Sequence, residues 1–187
     1  KGKLSAQEAI GLLIAITDAL DGLHEGGAVH GNLKPTNIFL NDRGEARSLR
    51  VTDLVDSSLC GVHKVNNAPF TFNDPSFFTY EQASGKEVSA STDIGAIGLI
   101  GYFMLTNELP FEGRTTDKLL AAVIINSGRL KLTPSEFEGG ETQEAVGLAE
   151  LLKSCLAKPT SKRPASLRAL RASLEALGGV AELPPLE

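Results

Sequence analysis

The chain has no tryptophan, one methionine and only two cysteines, Cys60 and Cys155, in 187 residues. Two thiols cannot build a disulfide framework, so reduced cysteines and a cytoplasmic setting are expected. Long hydrophobic runs are also missing. The longest covers residues 94–105, 12 positions, well short of the roughly 20 that cross a bilayer. No secretory leader is recognisable at the start, and membrane insertion is not expected. Positive charge is scarce too: 18 Lys and Arg stand against 23 Asp and Glu, a net charge of -5, which gives no reason to expect nucleic-acid binding or attraction to an anionic membrane. No internal repeat is visible. What remains is a chain 42% hydrophobic, enough to bury one core in one domain.

The informative stretch is polar. His30-Gly31-Asn32-Leu33-Lys34-Pro35-Thr36-Asn37 lies between two apolar runs, Ala28-Val29 and Ile38-Phe39-Leu40. The second run meets the turn-forming Asn41-Asp42-Arg43-Gly44, and the chain returns through Leu49-Arg50-Val51 to Asp53, which predicts a β-hairpin. Pairing of its strands makes Asn37 and Asp53 neighbours. A carboxylate, two carboxamides (Asn32, Asn37) and the Lys34 amine then converge. Oxygen ligands hold magnesium, and a lysine ammonium meets a phosphoryl oxygen, so the set points to cation and phosphate chemistry.

This run resembles the catalytic loop of protein kinases, H-R-D-L-K-P-x-N, and Asp53-Leu54-Val55 resembles their metal-binding D-F-G. Further matches follow in order: Tyr80-Glu81-Gln82 at the A-P-E position, in a form similar to the P-E-Q of bacterial Ser/Thr kinases; Thr92-Asp93-Ile94 with Gly98; Leu109-Pro110-Phe111; and Arg163-Pro164. The resemblance implies that Asn37 and Asp53 stand where the family holds nucleotide-bound magnesium. It also implies that Asp93 accepts backbone N–H bonds from the loop around His30 and Gly31, and that Glu81 pairs with Arg163. Glu81, Asp93 and Arg163 are therefore expected to be structural.

Departures from the pattern concern the chemistry. The proton-accepting Asp of the family corresponds to Asn32, whose carboxamide is not basic near neutral pH. Its Arg corresponds to Gly31, and the D-F-G Phe and Gly to Leu54 and Val55. No G-x-G-x-x-G motif or V-A-I-K lysine occurs upstream of the loop. The expectation is thus a catalytically inactive pseudokinase serving as a protein-binding or scaffolding module. It has no catalytic residues in the degenerate loop His30, Gly31, Asn32 and Lys34, no metal site of its own, and ATP·Mg binding that is at most very weak. The alternative is the large lobe of a longer kinase-like protein that keeps ATP binding or residual Ser/Thr phosphotransfer.

Elsewhere the pattern is helical. Ser5 and Glu8 form a capping-box signature ahead of a helix that Gly26-Gly27 ends. His24 and His30 flank that end and are expected to be packing residues. A second helix starts at Ser91-Thr92-Asp93 and is apolar all round, which places it at the centre. Helices are also expected over residues 117–125 and 144–156, and a last one opened by Pro164 with Leu167, Leu170, Leu174 and Leu177 in one stripe. Residues 53–81, rich in turn formers, read as a long loop, the activation segment of the resembled family. Phe70, Phe72, Phe77 and Phe78 in that loop are candidates for contact with another protein or a second copy of the chain. Taken together, the expected fold is mainly α with a small β-hairpin: a kinase-like C-lobe over residues 1–177, without the nucleotide lobe, and a flexible tail over 178–187.

Overall fold

A computed structural model describes residues 2–43, 46–54, 75–178 and 183. The elements are α1 (Ala6–Glu25), a 3-10 turn (Pro35–Asn37), β1 (Ile38–Arg43), β2 (Ala46–Val51), a second 3-10 turn (Pro75–Phe77), α2 (Tyr80–Ala83), α3 (Ala90–Thr106), α4 (Thr116–Asn126), α5 (Gln143–Cys155) and α6 (Leu167–Ala176). The molecule is mainly helical, with one two-stranded antiparallel sheet.

Capping sets the start of α1. The Ser5 hydroxyl accepts from the Glu8 N–H at 3.3 Å and the Glu8 carboxylate accepts from the Ser5 N–H at 2.9 Å, an arrangement that stabilises a helix by about 1 kcal/mol. Gly26 closes the helix and Gly27, at φ 76°, turns the chain away. Ile10, Leu13, Ile14, Ile16 and Leu20 are buried on more than one face of α1, because α3, α5, α6 and β2 all pack against it.

Helix α3 is the centre of the core. Its start differs from the expected one: Ser89 is the cap, its N–H donating to Thr92 Oγ1 at 3.0 Å. Asp93 therefore lies inside the first turn, with its carboxylate free to reach another segment. One face of α3 is glycine. A Cβ at Gly95 would lie 2.8 Å from Arg163 Nη1, at Gly98 2.9 Å from the Cys155 Cβ, and at Gly101 2.6 Å from a Leu152 methyl. The end of α5 thus packs on bare backbone, and any side chain there would force the two helices apart.

Two other boundaries move. The strands continue through the residues read as a turn, pairing Ile38 with Val51 through to Arg43 with Ala46, since the ladder is built from backbone N–H and C=O groups that Asn and Asp carry like other residues. Ser166, not Pro164, caps α6, its hydroxyl accepting from the Ala169 N–H at 3.1 Å. Leu167, Leu170 and Leu174 face inward. Arg168 reaches Asp21 and Glu25, and Arg171 reaches Asp18 at 2.6 Å, so the polar face of α6 is laced to α1 by exposed pairs worth up to about 1 kcal/mol each. Of the expected tail, Gly178 (φ 89°) ends α6, while residues 179–182 and 184–187 lie outside the described residues.

The aromatic candidates divide. Phe70 and Phe72 lie outside the described residues. Phe77 does not offer itself to a partner: it is 7% exposed and packs edge-on against Phe103, with ring centres 5.7 Å apart. Phe78 is half-buried against the same core. Phe77, in the 3-10 turn over Pro75–Phe77, is thus a core residue, which corrects its reading as a contact residue. Cys155 is a free, fully buried thiol whose pKa burial pushes up to about 12, so it is inert packing. Cys60 lies outside the described residues.

Candidate functional site

At the open end of the hairpin the ladder runs on past the strands. The Thr52 N–H donates to the Asn37 carbonyl at 2.9 Å, which sets Asn37 and Asp53 side by side. Asn37 is buried, and its Nδ2 donates to the Asn32 carbonyl at 2.9 Å. The Asn32 Nδ2 in turn donates to the Asp53 carbonyl at 3.2 Å. Three residues from three segments are thereby locked into one cluster. Asp53 has φ 61° and is exposed; this left-handed backbone is tolerated by Asp better than by most residues, and strained backbone of this kind gathers at functional sites. Lys34 is half-buried one residue before the 3-10 turn, and its carbonyl accepts from the Asn37 N–H at 3.0 Å.

Behind the cluster, His30 supports the loop. The ring is buried; Nε2 meets the Thr52 carbonyl at 3.0 Å, and Nδ1 accepts from the Asn32 N–H at 3.2 Å. These partners require a proton on Nε2 and none on Nδ1. Desolvation, the largest influence, lowers the His30 pKa against the opposing pull of Asp93, the Thr52 carbonyl and Asp53, so the neutral ring that the geometry needs is the favoured one.

Asp93 anchors the loop to α3. Its Oδ2 accepts from the His30 N–H at 2.7 Å and from His24 Nε2 at 2.8 Å, and its Oδ1 accepts from the Gly31 N–H at 2.9 Å. A carboxylate 1% exposed is affordable only with such partners. Gly31 adopts φ 68°, a conformation that the Arg of the resembled motif would strain. On the far side, Gln82 Nε2 donates to the Gly31 carbonyl at 2.9 Å, while its Oε1 accepts from the Thr79 N–H at 3.0 Å. Next to it Arg163 meets Glu81 through two bonds of 2.9 and 3.3 Å, and donates also to the Ser91 and Ala157 carbonyls.

The roles of His24 and Gln82 were not anticipated. For Gln82 a signal existed, since Thr79-x-x-Gln82 has capping-box spacing. For His24 there was none, because a histidine near a helix end says nothing of a carboxylate 69 residues away.

The donor set suits a hard cation carried by a phosphate. Asn37 commits its amide N–H to the loop, which leaves its side-chain oxygen as an acceptor, and Asp53 is exposed. Two oxygens are too few for an all-protein cage, and among the described residues no group of three or more His, Cys, Asp and Glu is placed to hold a metal. Magnesium, however, usually takes one or two protein oxygens and completes its shell with phosphate and water.

A family model for the protein kinase domain matches residues 1–174. The chain belongs to the protein kinase family. This kinase domain is 33% identical over 174 residues, 92% of its length, to the serine/threonine-protein kinase Pkn1 of Myxococcus xanthus, and covers 24% of that protein. It is 30% identical over 171 residues to a calcium/calmodulin-dependent protein kinase, cmkB, of Emericella nidulans, of which it covers 41%. A third relative, the probable serine/threonine-protein kinase PknB of Lactococcus lactis, is 31% identical over 110 residues. The chain thus spans well under half the length of these curated relatives.

These matches overturn the expectation that the chain is no enzyme: a kinase-domain model spans nearly all of it, and these relatives carry the names of protein kinases, two of them serine/threonine-protein kinases. The physical reason is that phosphoryl transfer depends mainly on positioning and charge stabilisation. A general base contributes about 10²–10⁴-fold, so Asn32 is no proof of inactivity.

Proposed function

We propose that these residues are the large lobe of a Ser/Thr protein kinase that transfers the γ-phosphoryl group of ATP to a protein hydroxyl at a reduced rate. The locked cluster of Asn32, Asn37 and Asp53 carries this reading. Asn37 and Asp53 would hold magnesium, which when bound neutralises charge on the nucleotide phosphates. Lys34, beside them, is the cation suited to a phosphoryl oxygen. Asn32 would orient the acceptor hydroxyl through its amide oxygen without taking the proton, which leaves to water or to the transferred group. His30 and Asp93 act through the backbone they hold. The nucleotide-covering glycine loop is not among these 187 residues, so the assay belongs on the full-length protein. With radiolabelled ATP and magnesium, label should enter a Ser/Thr substrate protein. Asp53→Ala should abolish it, and Asn32→Asp should raise the rate by about 10²–10⁴-fold. Label no greater than in the Asp53→Ala variant would refute the reading.

A further inference from the structure

The short helix α2 carries Tyr80 where the resembled A-P-E motif has proline, so its ring belongs to this chain rather than to the motif. The ring is half-exposed. Two ammoniums from separate segments meet it: Lys86, in the loop after α2, lies 4.6 Å from the ring centre, and Lys158, beyond α5, lies 4.7 Å from it. Both lysines are exposed, and neither has a carboxylate partner among the described residues. Two like charges held on one ring repel each other, and an aromatic face offsets only part of that repulsion.

We propose that Lys86, Lys158 and the Tyr80 phenol form a binding site for an oxyanion carried on a peptide segment of a protein partner, a phosphoryl or carboxylate side chain. The two ammoniums supply six N–H donors between them, and the phenol O–H can add one more. An incoming oxyanion relieves the repulsion between the lysines, which a neutral group cannot do. The site is distinct from the Asn32 cluster and needs no phosphoryl transfer, so its test stands apart from that of the kinase reading.

The experiment uses the full-length protein and short fluorescent Ala-Gly peptides carrying a phosphoserine, a run of aspartates, or neither, read by anisotropy. The oxyanion peptides should bind and the neutral one should not. Inorganic phosphate should compete, and binding should weaken as ionic strength rises through about 0.15 M. Lys86→Ala with Lys158→Ala should weaken binding by about tenfold, and Lys86→Glu with Lys158→Glu should abolish it. Because both side chains are exposed, the melting temperature should hold in each variant. Preference for phosphoserine over aspartate assigns the oxyanion as phosphoryl, and equal binding assigns either source. Equal binding of the neutral peptide, or affinity unchanged in the charge-reversed variant, overturns the proposal.

Discussion

Replacing Asp93 by Asn tests the loop anchor with almost no change of shape. The carboxylate accepts three bonds, from the His30 and Gly31 N–H groups and from His24 Nε2, at 2.7, 2.9 and 2.8 Å. A carboxamide has one acceptor oxygen and an NH2, so at least one of the buried N–H donors would face another donor. Bonds to a charged acceptor contribute about 1.5–3 kcal/mol each, and an orphaned buried donor costs about 1–3 kcal/mol. With neutral bonds replacing the remainder, the net loss comes to about 3–4 kcal/mol, a large share of the ~5–15 kcal/mol typical of a folded domain. At roughly 2–4 °C per kcal/mol for a chain of this size, the melting temperature of Asp93→Asn should fall by about 10 °C. Circular dichroism gives the melt, and amide hydrogen exchange adds the local readout: the His30 and Gly31 amides should lose protection before the core of α3 does. A variant that melts within about 2 °C of the parent, with both amides still protected, would show that the anchor is not what holds the loop.

Arg163→Met should cost about 3–5 kcal/mol by leaving Glu81 charged, buried and alone; the urea midpoint measures it, and Arg163→Met with Glu81→Leu should recover part of the loss. Gly101→Val should cost about 1–3 kcal/mol, because a Cβ there would meet a Leu152 methyl at 2.6 Å. Adding Leu152→Ala should restore some of that stability in a thermal melt if overpacking is the cause. His30 has a lowered pKa in the fold, so the unfolded chain takes up its proton first as pH falls. Its contribution is therefore full above the ordinary value of 6.5 and is lost as pH drops from there through the folded value. His30→Gln should flatten that part of the stability profile, and an unchanged slope would refute the assignment. For these 187 residues alone, ATP with magnesium should leave the melting temperature nearly unchanged at sub-millimolar nucleotide, as an affinity of about 1 mM or weaker implies; a rise of several degrees would contradict it.

The helices were legible because local rules governed them. Ser5 with Glu8 fixed the start of α1, and the unbroken apolar run after Asp93 announced a central helix. Boundaries failed where two signals competed: Ser89 and Asp93 can both cap a helix, and only the packing of Asp93 against the His30 loop decides between them. The hairpin placed Asn37 beside Asp53 from spacing alone, yet the bonds that lock Asn32 to both run through backbone carbonyls, on which residue identity is silent. The glycines of α3 could be counted in the sequence, but not the helix that lies on them. The fate of Phe77 was equally hidden, since the same aromatic residue serves a core or an interface.

The Gln82 bond to the Gly31 carbonyl joins positions 51 residues apart. It closes a ring of chain that begins and ends on ground fixed by Asp93 on one side and by Arg163 on the other. The bond fixes Gly31 to Gln82 whatever the length of chain that joins them. Since doubling a loop adds only about 0.6 kcal/mol of closure entropy, a longer path between the two anchors would loosen this tie only a little. The tie between the two segments thus draws its strength from its local partners, Asp93 on one side and Arg163 on the other, rather than from the chain it closes.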